Sequence, residues 1–522
     1  MTAAVQGRVR ATPGAEAAAV LVALAFFGFG LWQNRFFFHD DAYISLRYAV
    51  NLLHHGALDW NPGEPVEGYT NFLHVLLAAG AMALGLGPEA ALRAINALSG
   101  LALIALMVPA ARQVAPGPER AVERALAIVT VGATPGIATW VMGGLEPVML
   151  AALLLAGILG ALRIAREGMR PGALALAAGG FSAAVLTRMD AAVVIAAVGA
   201  ALLPVRGPDG RWMLAAGALV VAIPAAVSLA HMAWRYQTYG MLMPLTFAAK
   251  TGLPWAERAT LLPAYLRTMV AAAPVVYLGA LGAVLGLGRG LRDPAFRIPA
   301  FALAAQLAYV VWSGGDHMPG GRVLLVAVAP AALALLAVLA PRPLLMRRGM
   351  LLFVTLVTMG AALTAPERRM DTAAFMGTVI GRHIAGAWPE GSLVALHTAG
   401  STPFFANDRL RFIDMLGLND RAIAERRDVP KRALLQILPG HFKGDGAYVL
   451  ARRPDYIIAG VSEGSPVEAG LFLSDVELAE QPDFARCYAL HREGLPVPAD
   501  LLPAAPIADR EIIFQYYQRI CP

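Results

Sequence analysis

The chain of 522 residues is poor in charge. Asp, Glu, Lys and Arg together make up only 15% of it, whereas soluble domains carry roughly 25%. Hydrophobic residues reach 58%, and the mean hydropathy is +0.59. These figures exclude intrinsic disorder and a coiled coil, and two cysteines are too few for a disulfide-dense scaffold. The composition therefore predicts a polytopic membrane protein.

Motifs that identify several large functional classes are also absent. The sequence contains no P-loop, no GxGxxG after a strand, no CxxC pair and no HExxH. GxSxG occurs once, at residues 460–464, but Pro466 lies two residues beyond it, where a nucleophile elbow would begin a helix. ATP-driven transport, nicotinamide chemistry, zinc proteolysis and serine hydrolysis therefore lack their usual signatures. We expect no nucleotide cofactor. We also expect no nucleic-acid partner, because no basic face with interleaved aromatics occurs.

Apolar runs long enough to span a bilayer recur between about residue 17 and about residue 365. Twelve can be counted, but if all twelve spanned, the arginine clusters would fall on both sides of the membrane. We therefore interpret the short run 71–86 as a membrane-surface helix in a long first external loop, residues 36–89. This places the arginine clusters between the spans, and 16 of the 25 basic residues of the membrane part, on one side. The N-terminus is then cytoplasmic, and eleven spans are predicted, near residues 17–36, 90–111, 125–142, 147–162, 172–187, 191–204, 212–234, 264–287, 298–313, 323–340 and 349–365.

The charges divide the chain into two domains. Residues 1–366 hold 16 acidic and 25 basic side chains, whereas residues 367–522 hold 20 acidic and 17 basic ones. The basic surplus thus belongs to the membrane part, where we interpret it as a sign of membrane orientation. Residues 367–522 are predicted to form an external α/β domain, with strands within 391–400, 454–460 and 511–520 and two short helices on either side of Pro430. Cys487 and Cys521 both lie in this domain, either as a disulfide or as two buried thiols.

Two adjacent acids, Asp40 and Asp41, directly follow the first predicted span and precede a helical pattern. Because neighbouring carboxylates repel each other, one pKa of the pair should rise unless a cation lies between them. Such a pair suits a general base or a metal site. The alternative is a helix N-cap with a first-turn partner for the helix dipole.

Further polar residues lie at the external ends of later spans. Glu146 follows the third predicted span, where a solvated helix cap is the alternative to a functional role. Lys250 is the sole lysine among the first 430 residues, and it suits either a phosphate or lipid head groups. Asp316, His317 and Arg322 lie within seven residues of one another, and Arg322 suits bidentate phosphate binding. A tight turn between two spans is the alternative for this last cluster.

The first external loop resembles a known family. Its acidic pair and the block "NPGEPVEGYTNFL" at residues 61–73 resemble the bacterial GT-C glycosyltransferases, which are multi-span enzymes that use a polyprenyl-phosphate sugar as donor. Within that fold the chain is most similar to the mycobacterial and corynebacterial terminal arabinofuranosyltransferases and their bacterial relatives. The blocks "YGMLMPLTFAAKTG", "GGDHMPGGR", "DMLGLND" and "GHFKGDGAYVLARRPDYI" are similar to blocks of that group, so the resemblance spans most of the chain.

The resemblance implies a GT-C-like polytopic α-helical membrane protein with about eleven transmembrane helices and a C-terminal external α/β domain. It implies a bacterial cytoplasmic (inner) membrane location, with the C-terminal domain periplasmic. The expected reaction moves a sugar, with arabinofuranose as the first choice, from a polyprenyl phosphate to a hydroxyl of a cell-envelope glycan or glycolipid. The alternative is a lipid-linked glycan transporter or flippase with an external lid domain, and a non-catalytic assembly subunit is a third possibility.

The same resemblance implies roles for individual residues. Asp41, or else Asp40, is the expected general base, and Lys250 and Arg322 are expected to hold the donor phosphate. A Mg²⁺ or Mn²⁺ ion is expected at Asp40, Glu146 and Asp316, since hard cations prefer carboxylate ligands. Substrate contacts are expected from Tyr43, Glu67, Tyr69, Asn71, His74 and His317.

Overall fold

The computed structural model describes residues 14–206, 213–250, 254–438 and 440–522, apart from the side chains of Lys250 and Arg289. In the N-terminal part, the regular elements of the described residues are helices. Its helices are α1 (Gly14–Gln33), α2 (Asp40–His55), α3 (Phe72–Ala83), α4 (Pro88–Val114), α5 (Ala121–Gly132), α6 (Pro135–Gly143), α7 (Pro147–Glu167), α8 (Pro171–Thr187), α9 (Ala191–Leu202), α10 (Leu214–Tyr239), α11 (Leu245–Lys250), α12 (Trp255–Met269), α13 (Pro274–Gly290), α14 (Pro294–Ser313), α15 (Val328–Leu339) and α16 (Leu344–Thr364).

Eight helical segments of the described residues are long and apolar enough to cross a bilayer. They are α1, α4, the segment 118–143 that contains α5 and α6, α7, α10, α14, the segment 319–339 that ends in α15, and α16. Helices α12 and α13 together form a ninth candidate with a bend of 110°, and α8 and α9 are shorter apolar helices. These segments occupy the eleven predicted spans, although length and composition alone select only eight or nine.

Helix α3 corresponds to the apolar run that we assigned to the membrane surface. Its 12 residues extend for about 18 Å, whereas the hydrocarbon core of a bilayer is about 30 Å thick. The helix packs against α2, α4 and α8. It is therefore too short to be a further span, as the arginine distribution predicts.

The C-terminal part is an α/β unit built on one five-stranded sheet. The strand order is β2-β1-β3-β5-β4, in which β1 pairs in parallel with β2 and β3, and β5 pairs antiparallel with β3 and β4. The elements are α17 (Thr372–Ala387), β1 (Leu393–Leu396), α18 (Ser401–Ala406), β2 (Arg411–Asp414), α19 (Arg421–Glu425), α20 (Gly446–Ala451), β3 (Tyr456–Ile458), α21 (Leu473–Ala479), α22 (Pro482–Cys487), β4 (Tyr488–Pro496) and β5 (Glu511–Arg519).

Most of the predictions for this unit are confirmed. The three expected strands are β1, β3 and β5, and Cys487 and Cys521 form a disulfide. Of the two helices expected on either side of Pro430, only α19 exists, because residues 431–438 form turns instead. Strands β2 and β4 were not predicted.

Two of the sequence blocks meet where the C-terminal domain docks onto the membrane part. Asn61 Nδ2 donates to the Phe412 carbonyl at 2.8 Å, and the Phe412 N–H donates to Asn61 Oδ1 at 3.1 Å. The Tyr48 hydroxyl lies 3.0 Å from Asn419 Oδ1. Gly68 approaches the same side chain so closely that an added Cβ would lie 1.8 Å from Asn419 Oδ1. The block "NPGEPVEGYTNFL" therefore carries much of the docking surface.

Candidate active site

A cavity of about 1040 Å³ lies between the membrane part and the C-terminal domain. We call its two sides the membrane wall and the domain wall. The membrane wall comprises residues 39–41, 44, 70, 188–190, 193, 243–244, 246–247, 258, 308–309, 312–313, 315–319 and 322–323, and the domain wall comprises residues 371–373, 397–399, 416, 418, 440–441, 460–463 and 472. The cavity is large enough for a drug-sized or larger ligand.

The N-terminus of α2 opens onto the membrane wall. His39 is the N-cap residue, and its Nδ1 accepts the Asp41 backbone N–H at 3.2 Å. The His39 ring packs 5.6 Å from the ring of Trp140. Because His39 caps the helix, the alternative role of Asp40 or Asp41 as the N-cap residue does not apply. Asp41 is half-buried and lines the cavity, close enough for its charge to act on His317 and Arg322.

Asp40 faces the C-terminal domain more directly than Asp41 does. Its Oδ1 accepts the Ser401 backbone N–H at 2.8 Å and the Ser401 hydroxyl at 2.6 Å. An added Cβ on Gly400 would lie 2.5 Å from Asp40 Oδ2. Burial raises the pKa of Asp40 to about 6 against the opposing effect of the Ser401 hydrogen bonds. Asp40 therefore forms a docking contact between the membrane part and the C-terminal domain.

Arg188, which lies between α8 and α9, forms ion pairs with two acids, Glu146 and Asp190. Its Nη1 lies 2.8 Å from Glu146 Oε1, and its Nη2 lies 2.9 Å from Asp190 Oδ2. Burial acts to raise the pKa of Glu146, but Arg188, Arg322 and His74 outweigh that effect and hold it below its usual value. Because Arg188 and Asp190 are two residues apart in an external turn, the sequence alone favours a structural ion pair between them. The structure also brings both residues to the cavity.

Arg322 provides a second guanidinium on the membrane wall. Its Nε donates to Asp316 Oδ2 at 2.7 Å, and its Cζ lies 5.9 Å from the centre of the Trp140 ring. His317 Nδ1 lies 3.7 Å from Asp316 Oδ1. Burial lowers the pKa of His317 although Asp316 and Asp41 act to raise it, so its imidazole is neutral at pH 7. The cluster predicted within residues 312–325 therefore lines the cavity as a unit.

The paired glycines of this segment have a structural explanation. Gly315 and Gly320 have φ values of 85° and 73°, a region that L side chains rarely adopt. An added Cβ would lie 2.6 Å from the Tyr265 ring at the first position and 2.8 Å from Thr139 at the second. Backbone conformation and close packing thus account for glycine here without any ligand.

Five predicted substrate contacts require correction, because Tyr43, Glu67, Tyr69, Asn71 and His74 do not line this cavity. The Tyr43 hydroxyl donates to Glu89 at 2.5 Å, and the Tyr69 hydroxyl lies 3.1 Å from that of Tyr239. These side chains are fully buried behind the membrane wall. They support the helices around the site.

The other three are also engaged in the interior. Glu67 forms a buried ion pair with Arg235 of α10. Asn71 Nδ2 lies 3.2 Å from Glu146 Oε2, and His74 Nε2 lies 3.2 Å from Asn96 Oδ1. Asn71 therefore supports the acid that pairs with Arg188. These residues are near Asp41 in the sequence, but their side chains pack into the interior and do not line the cavity.

The expected metal ligands do not assemble into a site. Among the described residues, no group of three or more His, Cys, Asp or Glu side chains could hold a metal ion. Asp40 is bonded to Ser401, Glu146 to Arg188, and Asp316 to Arg322. The geometry therefore does not fit the predicted metal centre at these three acids.

Lys250 ends α11, and its side chain lies outside the described residues. Four residues next to or within that helix, at positions 243–244 and 246–247, line the membrane wall. The backbone of α11 thus borders the cavity. The role of Lys250 stays a prediction.

For the domain wall, the sequence indicates only that loops of the C-terminal domain, including the one with His441, lie over the membrane cavity. The segments that follow the carboxyl ends of β1, β2 and β3 supply residues 397–399, 416, 418 and 460–463. His397 stacks on Phe472 with ring centres 4.2 Å apart, and the His441 ring lies 5.4 Å from that of His317 across the cavity. Short apolar runs locate β1 and β3 in the sequence, but they do not show which surface the segments after these strands face.

Comparisons with known proteins give a partial match. A family described as "Domain of unknown function (DUF8728)" matches residues 366–501. No curated protein matches the sequence at a significant level.

Several solved structures are similar at low identity. ArnT from Cupriavidus metallidurans, bound to undecaprenyl phosphate, is 16% identical with a TM-score of 0.48, and the match covers 76% of this chain and 85% of ArnT. AglB, an oligosaccharyltransferase of Archaeoglobus fulgidus in complex with an inhibitory peptide and a dolichol-phosphate, is 11% identical with a TM-score of 0.48, covering 76% of this chain and 65% of AglB. The arabinofuranosyltransferase AftD from Mycobacteria is 15% identical with a TM-score of 0.48, covering 96% of this chain and 41% of AftD. The chain thus spans less than two thirds of AglB and AftD.

Proposed function

We propose that this protein is an integral-membrane glycosyltransferase that moves a sugar from a polyprenyl phosphate to a hydroxyl of a cell-envelope glycan or glycolipid. The observation that carries the proposal is the joint presence of Asp41, Arg188 and Arg322 on one wall of a large cavity. In such a reaction a carboxylate can take the proton of the acceptor hydroxyl. Guanidinium groups in the same cavity can stabilise the negative charge that develops on the lipid phosphate. The cavity borders the membrane helices, where a lipid-linked donor is anchored.

Each side chain has a defined part in the reaction. The acceptor oxygen forms a bond to the anomeric carbon of the sugar while its proton passes to the Asp41 carboxylate. The bond between the anomeric carbon and the phosphate oxygen breaks, and its electron pair stays on the lipid phosphate. Arg322 and Arg188 stabilise this developing charge, with Lys250 as a third cation. Neutral His317 lines the same cavity close to Asp41 and Arg322 and can orient the sugar by hydrogen bonding.

The sugar and the orientation are finer parts of the proposal. Arabinofuranose is the first choice because the sequence blocks resemble the arabinofuranosyltransferases. An outward, periplasmic position of the C-terminal domain is supported by the Cys487–Cys521 disulfide, since disulfides persist in oxidising compartments. The arginine distribution favours a cytoplasmic N-terminus.

The experiment uses the purified full-length chain in lipid nanodiscs with a panel of radiolabelled polyprenyl-phosphate sugars. We expect transfer to a glycan from one or a few donors, with arabinofuranose among them. No transfer from any donor, together with movement of lipid-linked glycan across a vesicle bilayer, would instead support a transporter. A C-terminal reporter fusion that is active only in the cytoplasm would contradict the orientation.

The role of Lys250 is tested separately by Lys250→Met. We expect the apparent affinity for the lipid donor to fall more than the affinity for the acceptor, because the ammonium is assigned to the donor phosphate. Equal effects on both substrates would contradict that assignment.

A further inference from the structure

The domain wall has the geometry of a ligand-binding crevice in an open parallel sheet. In the order β2-β1-β3, the chain leaves β1 towards β2 on one side and later crosses to β3 on the other. The crevice between the segments after β1 and β3 is therefore a topological switch point, where open α/β sheets bind ligands outside the carboxyl ends of their strands. Residues 397–399 and 460–463 line the cavity at this point.

His397 is the main polar group of the crevice. Its side chain is only 2% exposed. Neither ring nitrogen has a hydrogen-bond partner of standard geometry among the described residues, although the Gly460 backbone lies close enough to act on the ring and to oppose the effect of burial on its pKa. Its Nε2 lies 3.7 Å from Asp475 Oδ1, beyond hydrogen-bond distance. Stacking on Phe472 fixes the plane of the ring. A buried imidazole with incomplete hydrogen bonds is costly, and a ligand that completes them recovers part of that cost.

Other groups of the crevice define the chemical class of the ligand. The Thr398 and Ser462 hydroxyls lie 2.7 Å apart, so together they can donate to and accept from a ligand. Burial lowers the pKa of His397 to about 3, which leaves a neutral ring that donates through one nitrogen and accepts through the other. The described domain wall carries two carboxylates, Asp371 and Glu463, and no Lys or Arg. The membrane wall, in contrast, carries Arg188, Arg258 and Arg322. Carboxylates repel a phosphate and accept hydrogen bonds from hydroxyl groups. A phosphate is therefore disfavoured on the domain wall, and a neutral ligand rich in hydroxyl groups is favoured.

We propose that the crevice formed by His397, Thr398 and Ser462 is a binding site for the neutral sugar residues of the glycan acceptor. The inference rests on the proposed function for the identity of the ligand as an acceptor. The crevice holds the acceptor chain on the domain wall so that one hydroxyl faces Asp41 across the cavity. His397, Thr398 and Ser462 are positioning residues for a substrate whose reacting atoms lie at the opposite wall.

The test measures acceptor binding without any donor. Purified full-length protein in nanodiscs is titrated with neutral hexasaccharides of arabinofuranose, galactose and mannose, and separately with inorganic phosphate, by calorimetry. We expect saturable binding of at least one hexasaccharide. The variants His397→Leu and Thr398→Val/Ser462→Ala are expected to weaken it about tenfold, since each loses one or two hydrogen bonds to sugar hydroxyls, while phosphate binding is unchanged.

Two outcomes would overturn the inference. One is that the wild-type protein binds none of the three hexasaccharides, and the other is that the double variant binds within twofold of wild type. The double variant nearly preserves side-chain volume, so it decides the matter if His397→Leu does not fold. Gly80→Ala in α3 serves as the control that should keep hexasaccharide binding, because Gly80 does not line the cavity and nothing lies within 4 Å of its added Cβ. Loss of sugar transfer with intact binding would count against the proposed function alone, because no donor is present in the binding measurement.

Discussion

The two walls of the cavity differ in their chemistry although they face the same space. The membrane wall combines Asp41 with the ion pairs of Arg188 and Arg322, whereas the described domain wall carries imidazole, hydroxyl, aromatic and carboxylate groups and no Lys or Arg. Charged groups that are held in place before the reaction stabilise developing charge best. On the proposed function, we assign reaction chemistry to the membrane wall and recognition of a neutral partner to the domain wall.

The largest expected effect separates the adjacent acids Asp41 and Asp40. We predict that Asp41→Asn lowers sugar transfer by about 10²–10⁴-fold, because a placed general base contributes that much. Asp40→Asn is the matched control, since its amide oxygen can still accept both hydrogen bonds from Ser401. It should keep most of the activity. The measurement is radiolabelled transfer by purified protein, and equal loss in both variants would show that the two acids do not have separate roles.

The next prediction tests whether Arg322 acts on the lipid phosphate or only pairs with Asp316. Arg322→Gln should reduce turnover by about 10²–10³-fold, comparable to the removal of one oxyanion-stabilising group. The single variant also leaves Asp316 unpaired, so the double variant Arg322→Gln/Asp316→Asn is measured beside it. We expect the double variant to remain impaired. Recovery to near wild-type turnover would mean that the ion pair is only structural.

A smaller effect concerns how the domain wall is held above the membrane wall. Gly68→Ala would place a Cβ against Asn419 Oδ1 and 2.7 Å from the Leu418 carbonyl. We predict a destabilisation of about 1–3 kcal/mol, as for overpacking in a core, detected as a lower melting temperature. Gly80→Ala in α3 is the control, because nothing lies within 4 Å of its added Cβ and alanine favours a helix. Equal melting temperatures for the two variants would contradict the docking contact.

The smallest effect is a pH dependence of that docking. Burial raises the pKa of Asp40 to about 6, above its unfolded value of about 3.9. The folded state therefore binds more protons than the unfolded state between these values, and its stability falls as pH rises from about 4 to about 6. Asp40→Asn resembles the protonated form, so its melting temperature should match that of wild type below pH 4 and equal or exceed it at pH 7. A variant that melts lower at pH 7 would show that the ionised carboxylate stabilises the docking.

The sequence could predict the architecture because the signals for it are local. Apolar runs and arginine clusters locate the spans, and short runs of apolar and aromatic residues locate β1, β3 and β5. The Asp40–Asp41 pair reaches the cavity because it begins α2. Asp316, His317 and Arg322 reach it because they follow the end of α14. The acids of the pair could not be distinguished, since only the contact with Ser401, 361 residues away in the chain, separates Asp40 from Asp41.

The remainder of the site depends on contacts between distant segments. Tyr43, Glu67 and His74 looked like substrate contacts because they are polar residues near Asp41, but helix packing turns them into the interior. His397 gave no signal, because a histidine after a buried strand is common and its missing partners are visible only in three dimensions. Arg188 looked structural because its partner Asp190 is two residues away, while its other partner, Glu146, belongs to a different loop.

The central claim is that the membrane wall binds the donor phosphate and presents Asp41 to the acceptor. It is tested most directly by an experimental structure of the full-length protein in nanodiscs with a polyprenyl phosphate bound. We predict phosphate oxygens within about 3.2 Å of the guanidinium groups of Arg322 and Arg188, with the Asp41 carboxylate facing the same pocket. A phosphate bound on the domain wall, or outside the cavity, would contradict the account.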